Sequence, residues 1–166
     1  ESLSEWENWN PNFSLYPVVI QTCNNIFKED KLQWPDQVKR SFEKYVNEGG
    51  GVYMYHGATN AFKNWAAYNQ MIGLGWRNKD FGVAVSIAED EKLTIIPKGD
   101  GENTGHGKRR DALIHRMGNH PIHKGMPKAW LAADIEVYRY GRGSIDKLEV
   151  ISYAEDEKSG LNFPME

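Results

Sequence analysis

Gly49-Gly50-Gly51-Val52-Tyr53-Met54-Tyr55-His56-Gly57-Ala58-Thr59-Asn60-Ala61-Phe62 is a triple glycine opening a short apolar strand that a histidine closes. A buried parallel strand that delivers a polar group to the rim of an α/β sheet has this shape. In open α/β sheets ligands sit beyond the carboxyl ends of the strands, so His56 and Asn60 stand where a site is expected. A structural reading stands beside the functional one. The glycines can simply end a helix and release the strand, and His56 can be a hydrogen-bonded structural histidine.

On the amino side, Trp34-Pro35 opens a run in which Val38, Phe42, Tyr45 and Val46 recur at helical spacing, predicting a helix over 35–48 that Gly49 stops. Before it, Tyr16 to Cys23 reads as a buried strand with Pro17 at its tolerated first position. The first dozen residues read as an irregular lead-in. On the carboxyl side a second amphipathic helix is predicted over 62–73, carrying Trp65, Tyr68, Met71 and Ile72. That order implies a βαβ unit and a parallel sheet. Further strands are expected over 83–87, 92–96, 135–140 and 148–153. The glycine-rich connection Gly73-Leu74-Gly75-Trp76-Arg77 is expected near a ligand cleft, and the polar stretch 98–110 reads as a functional loop.

The totals narrow the function classes. At 166 residues the chain is one domain's worth. Twenty basic and twenty-three acidic residues give a formal charge of -3, with basic residues scattered except at Lys108-Arg109-Arg110, which argues against a nucleic-acid partner. No apolar run approaches the ~20 residues of a membrane span. The single cysteine, Cys23, excludes an intrachain disulfide and a cysteine-based zinc cluster. The start at Glu1 implies that an initiator or longer leader has been removed, and both the bacterial cytoplasm and an exported location stay open. Six Trp and eight Tyr are many for this length, as sugar platforms or as core packing.

Several signatures stand in one order: Trp34-Pro35, the glycine-rich strand through Phe62, Trp65-Ala66-Ala67-Tyr68-Asn69-Gln70-Met71-Ile72-Gly73, Gly105-His106-Gly107-Lys108, His120-Pro121-Ile122-His123-Lys124-Gly125-Met126-Pro127 and Glu136-Val137-Tyr138. In these the chain resembles the trehalose-utilisation (ThuA-like) family. The resemblance implies the fold of class I glutamine amidotransferases, an α/β three-layer sandwich with a mostly parallel central sheet. It also implies a single domain over 1–166, incomplete at both ends relative to the family's strand-and-helix start and its terminal segment. Glutaminase chemistry is not expected, because His56-Gly57-Ala58 occupies the turn where that fold carries its cysteine nucleophile, and Cys23 lacks flanking glycines.

The resemblance implies a small carbohydrate ligand, a glycoside or keto-sugar derivative. His56, Glu136 and His106 are the acid-base candidates, since an imidazole with a carboxylate moves protons near neutral pH. Asn60, Trp76, Tyr138 and Lys108 are the substrate-binding candidates. His56, His106 and Glu136 also read as ligands for a divalent metal such as zinc, so metal-assisted chemistry stays open beside acid-base chemistry. The alternative of another class is a non-catalytic carbohydrate-binding or scaffold domain of a larger polysaccharide-utilisation protein. A homo-oligomer or a companion chain completing the fold is also allowed. His120 reads as a turn cap, His115 and His123 as exposed, Lys108-Arg109-Arg110 as a solvated loop, and Trp65 and Tyr68 as core.

Overall fold

The computed structural model describes residues 8–25 and 33–165, so the first seven residues of the expected lead-in lie outside it. The chain divides into two compact units, Glu1–Ile72 and Gly73–Glu166.

The first unit follows the predicted order β1 (Val18–Gln21), α1 (Asp36–Asn47), β2 (Gly51–Met54), a 3-10 turn (His56–Asn60) and α2 (Ala66–Ile72). The two strands are parallel, with Val18 opposite Gly51 and Gln21 opposite Met54. On α1 the apolar stripe of Val38, Phe42 and Tyr45 is buried, and Gly49 ends the helix in the left-handed region at φ 92°, where a side chain would be strained. Phe13, Trp34, Phe62, Trp65 and Tyr68 close around that stripe and form an aromatic core with it. Trp34 meets Phe42 edge-on at 5.4 Å between ring centroids, and Phe62 meets Tyr68 at 5.1 Å. Trp65 and Tyr68 are therefore core, as expected. Helix α2 starts later than predicted. Phe62 sits at φ 50° with its amide held 2.9 Å from Asn25 Oδ1, so helical geometry begins only after that bond is made.

The second unit departs from the expected parallel sheet. It contains β3 (Leu74–Gly75), β4 (Ala84–Ile87), β5 (Leu93–Ile96), β6 (Gly105–His106), β7 (Arg110–Arg116), β8 (Ala129–Ile135), β9 (Tyr138–Arg139), β10 (Arg142–Gly143), β11 (Ser152–Asp156) and β12 (Leu161–Pro164). Six of them form one sheet in the order β5-β4-β12-β11-β7-β8, and every pairing in it is antiparallel. The pairs β3–β10 and β6–β9 are antiparallel as well. The only parallel pairing among the described residues is β1–β2, and α1 and α2 are the only α-helices there. The mostly parallel three-layer sandwich of the glutamine amidotransferase kind is thus corrected. The physical reason lies in the connections: a parallel neighbour needs a crossover of a dozen or more residues, usually a helix. Between Gly73 and Met165 no α-helix is described that could make such a crossover, and the strands are joined by turns and loops, such as the turn between β11 and β12 that closes at Gly160, φ 67°.

A second small core of Ala112, Ile114, Val137 and Ala154 lies against this sheet. Across β9 runs an ionic ladder. The Glu102 carboxylate accepts from Lys158 Nζ at 2.8 Å and Arg139 Nε at 3.2 Å, and Arg139 also reaches Asp156 at 3.5 Å. Hydrogen bonds from Lys158 and then Arg139 hold the Glu102 carboxyl below its ordinary range. A carboxyl whose folded-state pKa is depressed adds stability above its unfolded value, and that stability is lost as pH falls through the folded value. The melting-temperature difference between wild type and Glu102→Gln is therefore expected to be present at pH 6 and to vanish in strong acid. A constant difference across that acid range would show that the ladder is not responsible.

Candidate functional site

Four of the predicted residues come together in the second unit. His106 lies opposite Tyr138 in the β6–β9 pair, with the two rings stacked at 5.6 Å between centroids and 16° between planes. Trp76 lies steeply inclined to both rings, at 5.7 Å and 62° from His106 and 5.2 Å and 76° from Tyr138. Glu136 completes the group with Oε2 3.8 Å from His106 Nε2, and both side chains keep partial access to solvent, 32% for His106 and 22% for Glu136.

The local sequence explains each placement. The strand expected over 135–140 is interrupted, because β8 ends at Ile135 and β9 starts at Tyr138. Arg110 faces Ile135 while Ala112 faces Ala132, so β8 carries one residue more than β7. The extra residue is absorbed near Asp134, which sits at φ 51°. Arg109 clamps that bend, with Nε 3.1 Å from Asp134 Oδ1 and Nη2 2.7 Å from its carbonyl, while Asp111 Oδ1 accepts the Asp134 amide at 3.0 Å. The hydrogen bond and charge of Asp134 raise the Arg109 pKa, and Glu136 adds a smaller pull in the same direction. Val137 is buried in the core, and alternation along extended chain then sends Glu136 and Tyr138 away from that core.

Trp76 is positioned by Thr104. The Thr104 amide donates to the Arg77 carbonyl at 3.0 Å and the Arg77 amide donates to Thr104 Oγ1 at 3.1 Å, so residues 75–77 run beside residues 104–106. The Thr104 hydroxyl also lies 2.7 Å from the Tyr140 carbonyl. On the other side, β10 comes close to residues 73–75. A Cβ at Gly143 would collide with the Gly73 carbonyl, so only glycine fits there.

The chemistry of the cluster follows from hydrogen-bond polarity. His106 Nδ1 lies 2.7 Å from the Gly107 carbonyl oxygen, which can only accept, so Nδ1 carries the proton in the neutral ring. That leaves the Nε2 lone pair on the side of the Glu136 carboxylate. Two acceptors 3.8 Å apart are stabilised by a proton or a donating hydroxyl between them. Trp76 and Tyr138 add apolar ring surface beside this pair.

The remaining candidates divide by location. His56 and Asn60 belong to the first unit, in the turn beyond the carboxyl end of β2, with His56 exposed and at φ 38°. Lys108 is exposed beyond β6, and Arg109 is exposed but ion-paired. His120 caps its turn as expected, with Nδ1 accepting the Ile122 amide at 3.3 Å. His123, expected exposed, is instead 4% exposed and stands edge-on to His120. Among the described residues no group of three or more His, Cys, Asp or Glu side chains could hold an ion. No helix among them is long and apolar enough to cross a membrane.

Cys23 follows β1 and packs partly buried against the first core. Burial pushes its thiol above the ordinary value, which starves it of thiolate. Its alkylation by iodoacetamide at pH 7.5 is expected to be at least about tenfold slower than that of a free small-molecule thiol. An equal or faster rate would restore it as a nucleophile candidate.

The fold and the cluster together define a class: a helix-covered parallel pair followed by an antiparallel six-stranded sheet, bearing an imidazole–carboxylate pair framed by aromatic rings. The chain belongs to the ThuA family, described as trehalose utilisation, which its sequence matches over residues 10–165. A crystal structure of a ThuA-like protein from Parabacteroides merdae is similar at 30% identity with a TM-score of 0.85, covering 96% of this chain. The chain spans 57% of the length of that relative. Curated proteins give no match.

Thr104 and Asp134, which position the site without resembling catalytic groups, carry no signal in the sequence, and Arg109, read as part of a solvated loop, instead clamps the Asp134 bend. The buried Arg142 is likewise not among the residues read from the sequence. For Arg142 a signal existed: an arginine between two glycines, Gly141 and Gly143, implies close backbone approach around a long side chain.

Proposed function

We propose that this chain processes a glycoside or keto-sugar derivative by acid-base chemistry, with His106 and Glu136 as the proton-transfer pair and Trp76 and Tyr138 as the sugar platform. The observation that carries the reading is the 3.8 Å approach of His106 Nε2 to Glu136 Oε2 beside two aromatic rings. In the neutral ring Nε2 accepts a proton from a substrate hydroxyl or from a carbon next to a carbonyl. Glu136 stabilises the imidazolium that results, and the proton returns to the product oxygen. Trp76 and Tyr138 supply ring faces for the apolar side of a sugar, and Lys108, two residues beyond His106, is a further substrate contact. The family's trehalose description supports the substrate class. His56 and Asn60 are proposed as polar ligand-contacting groups within the first unit, and the sugar affinity of a His56→Ala variant tests that role.

The test is binding and turnover of trehalose, methyl glucosides and their 3-keto forms, comparing wild type with Trp76→Ala. Losing one stacking ring is expected to weaken sugar binding about tenfold while leaving turnover at saturation within a few-fold. Sugar binding without turnover of any of these compounds would make the chain a carbohydrate-binding domain. Unchanged affinity in the Trp76 variant would remove the platform.

A further inference from the structure

Two buried polar atoms of the first unit have no hydrogen-bond partner among the described residues: Gln21 Nε2, a donor, and Asn60 Oδ1, an acceptor. Buried polar groups are nearly always satisfied, so each such exception calls for an explanation, a bound ligand or an ordered water among them. Gln21 is only 4% exposed, and its amide is oriented by its other end, since Oε1 accepts the Cys23 amide at 3.0 Å. That bond turns the side chain toward the carboxyl end of β1 and leaves Nε2 bare there.

Asn60 closes the 3-10 turn that leaves the same end of β2. Two contacts hold this turn against the segment following β1. A Cβ at Gly57 would come within 2.9 Å of Asn24 Nδ2, and Asn25 Oδ1 takes the Phe62 amide at 2.9 Å. The segments 21–25 and 56–62 thus form one sheet edge, and a non-glycine residue, His56, is held there at φ 38°. Backbone strain of that kind is retained where the surroundings over-determine it, commonly at binding sites.

We infer that this edge is a hydroxyl-reading subsite: Gln21 Nε2 donates to, and Asn60 Oδ1 accepts from, hydroxyl groups of a polyhydroxylated ligand. A hydroxyl matches the pair because it both accepts and donates, whereas a carboxylate or phosphate would leave the Asn60 oxygen facing an acceptor. The ligand class rests on the sugar reading given above, while the subsite itself lies wholly within the first unit.

The test is titration calorimetry with trehalose and 3-keto-trehalose on wild type, Asn60→Leu, Asn60→Asp and Gln21→Glu, with melting temperatures of the unliganded proteins. Asn60→Leu deletes an unsatisfied acceptor, so the unliganded protein is expected to melt at the same temperature or higher. Its sugar Kd is expected to rise at least about tenfold, as when a site built to bond a hydroxyl loses its partner. Gln21→Glu keeps the oxygen that holds Cys23 and replaces only the bare donor, with a similar loss of affinity expected. Asn60→Asp retains Oδ1 and is expected to bind far better than the leucine variant. If wild type binds sugar and all three variants bind equally well, the subsite is overturned while the sugar reading stands. A lower melting temperature in Asn60→Leu with unchanged Kd identifies a structural water instead and also overturns the subsite. If wild type binds neither sugar, both readings fall together.

Discussion

Glu136→Gln is expected to lower turnover of a 3-keto-glycoside or glycoside by about 10²–10⁴-fold, the usual worth of a positioned proton-transfer partner, with sugar affinity within about threefold of wild type. The substitution keeps the shape of the side chain and one carbonyl oxygen, and Trp76 and Tyr138 are untouched. What is removed is the carboxylate 3.8 Å from His106 Nε2, where the proposed imidazolium would form. Because the Gly107 carbonyl fixes the proton on Nδ1, the ring cannot compensate by switching tautomers without losing its 2.7 Å bond. The pattern is the reverse of that expected for Trp76→Ala, which loses binding and keeps chemistry. Measuring kcat and KM separately for the two variants therefore distinguishes a catalytic pair from a shared structural defect. A Glu136→Gln variant that turns over within about threefold of wild type would sink the proton-transfer role, since a general acid-base partner cannot be neutralised at so small a cost.

How much of this was legible depended on whether a signal was local. Helix α1 was readable because Val38, Phe42 and Tyr45 repeat at the helical period and Gly49 can take φ 92° where a stop is needed. The β1–α1–β2 unit and its parallel pairing follow from the same pattern. The second unit was misread because short apolar runs such as 83–87 and 92–96 carry no information about strand direction, which is set by connection length. The mostly parallel sheet implied by the resemblance to the amidotransferase fold needs crossover helices, and no α-helix is described after Gly73.

The site was legible in its chemistry and not in its assembly. His106, Glu136, Trp76 and Tyr138 were each identifiable by residue type and motif, but the bend that brings Glu136 to His106 arises from one extra residue in β8, a register property with no sequence signature of its own. The aromatic richness was ambiguous for a related reason. Trp34, Trp65, Tyr45 and Tyr68 fill a core while Trp76 and Tyr138 frame the site, and composition counts the two groups alike. His123 was misjudged because a histidine in a polar turn reads as solvated, whereas the turn folds it inward to 4% exposure.

Arg142→Ala is expected to destabilise the protein by about 3–5 kcal/mol, because several backbone carbonyls lose a charged donor at once. The side chain is 1% exposed and makes no ion pair among the described residues. Its guanidinium instead donates to backbone carbonyls: Glu102 at 2.7 Å, Pro97 at 3.3 Å, Gly82 at 3.5 Å and, very closely, Asp100, and it lies 5.5 Å from the centre of the Tyr140 ring. Burial lowers its pKa from the usual guanidinium value, opposed by the electrostatic pull of Tyr140, Asp100 and Asp80. Truncation leaves four carbonyls facing a void, and a stranded buried acceptor costs about 1–3 kcal/mol when no water reaches it. Lysine cannot substitute, because one ammonium has three donors on a single atom and cannot span carbonyls spread from residue 82 to residue 102. Arg142→Lys is therefore expected to recover less than half of the loss. The anchored segment leads directly into Thr104 and His106, so residual activity of Arg142→Ala at low temperature should fall together with its stability. Calorimetric melting checks the claim: a drop on the order of 10 °C is expected for a chain of this size, and a shift under about 2 °C would show that the carbonyl cage contributes little to the fold.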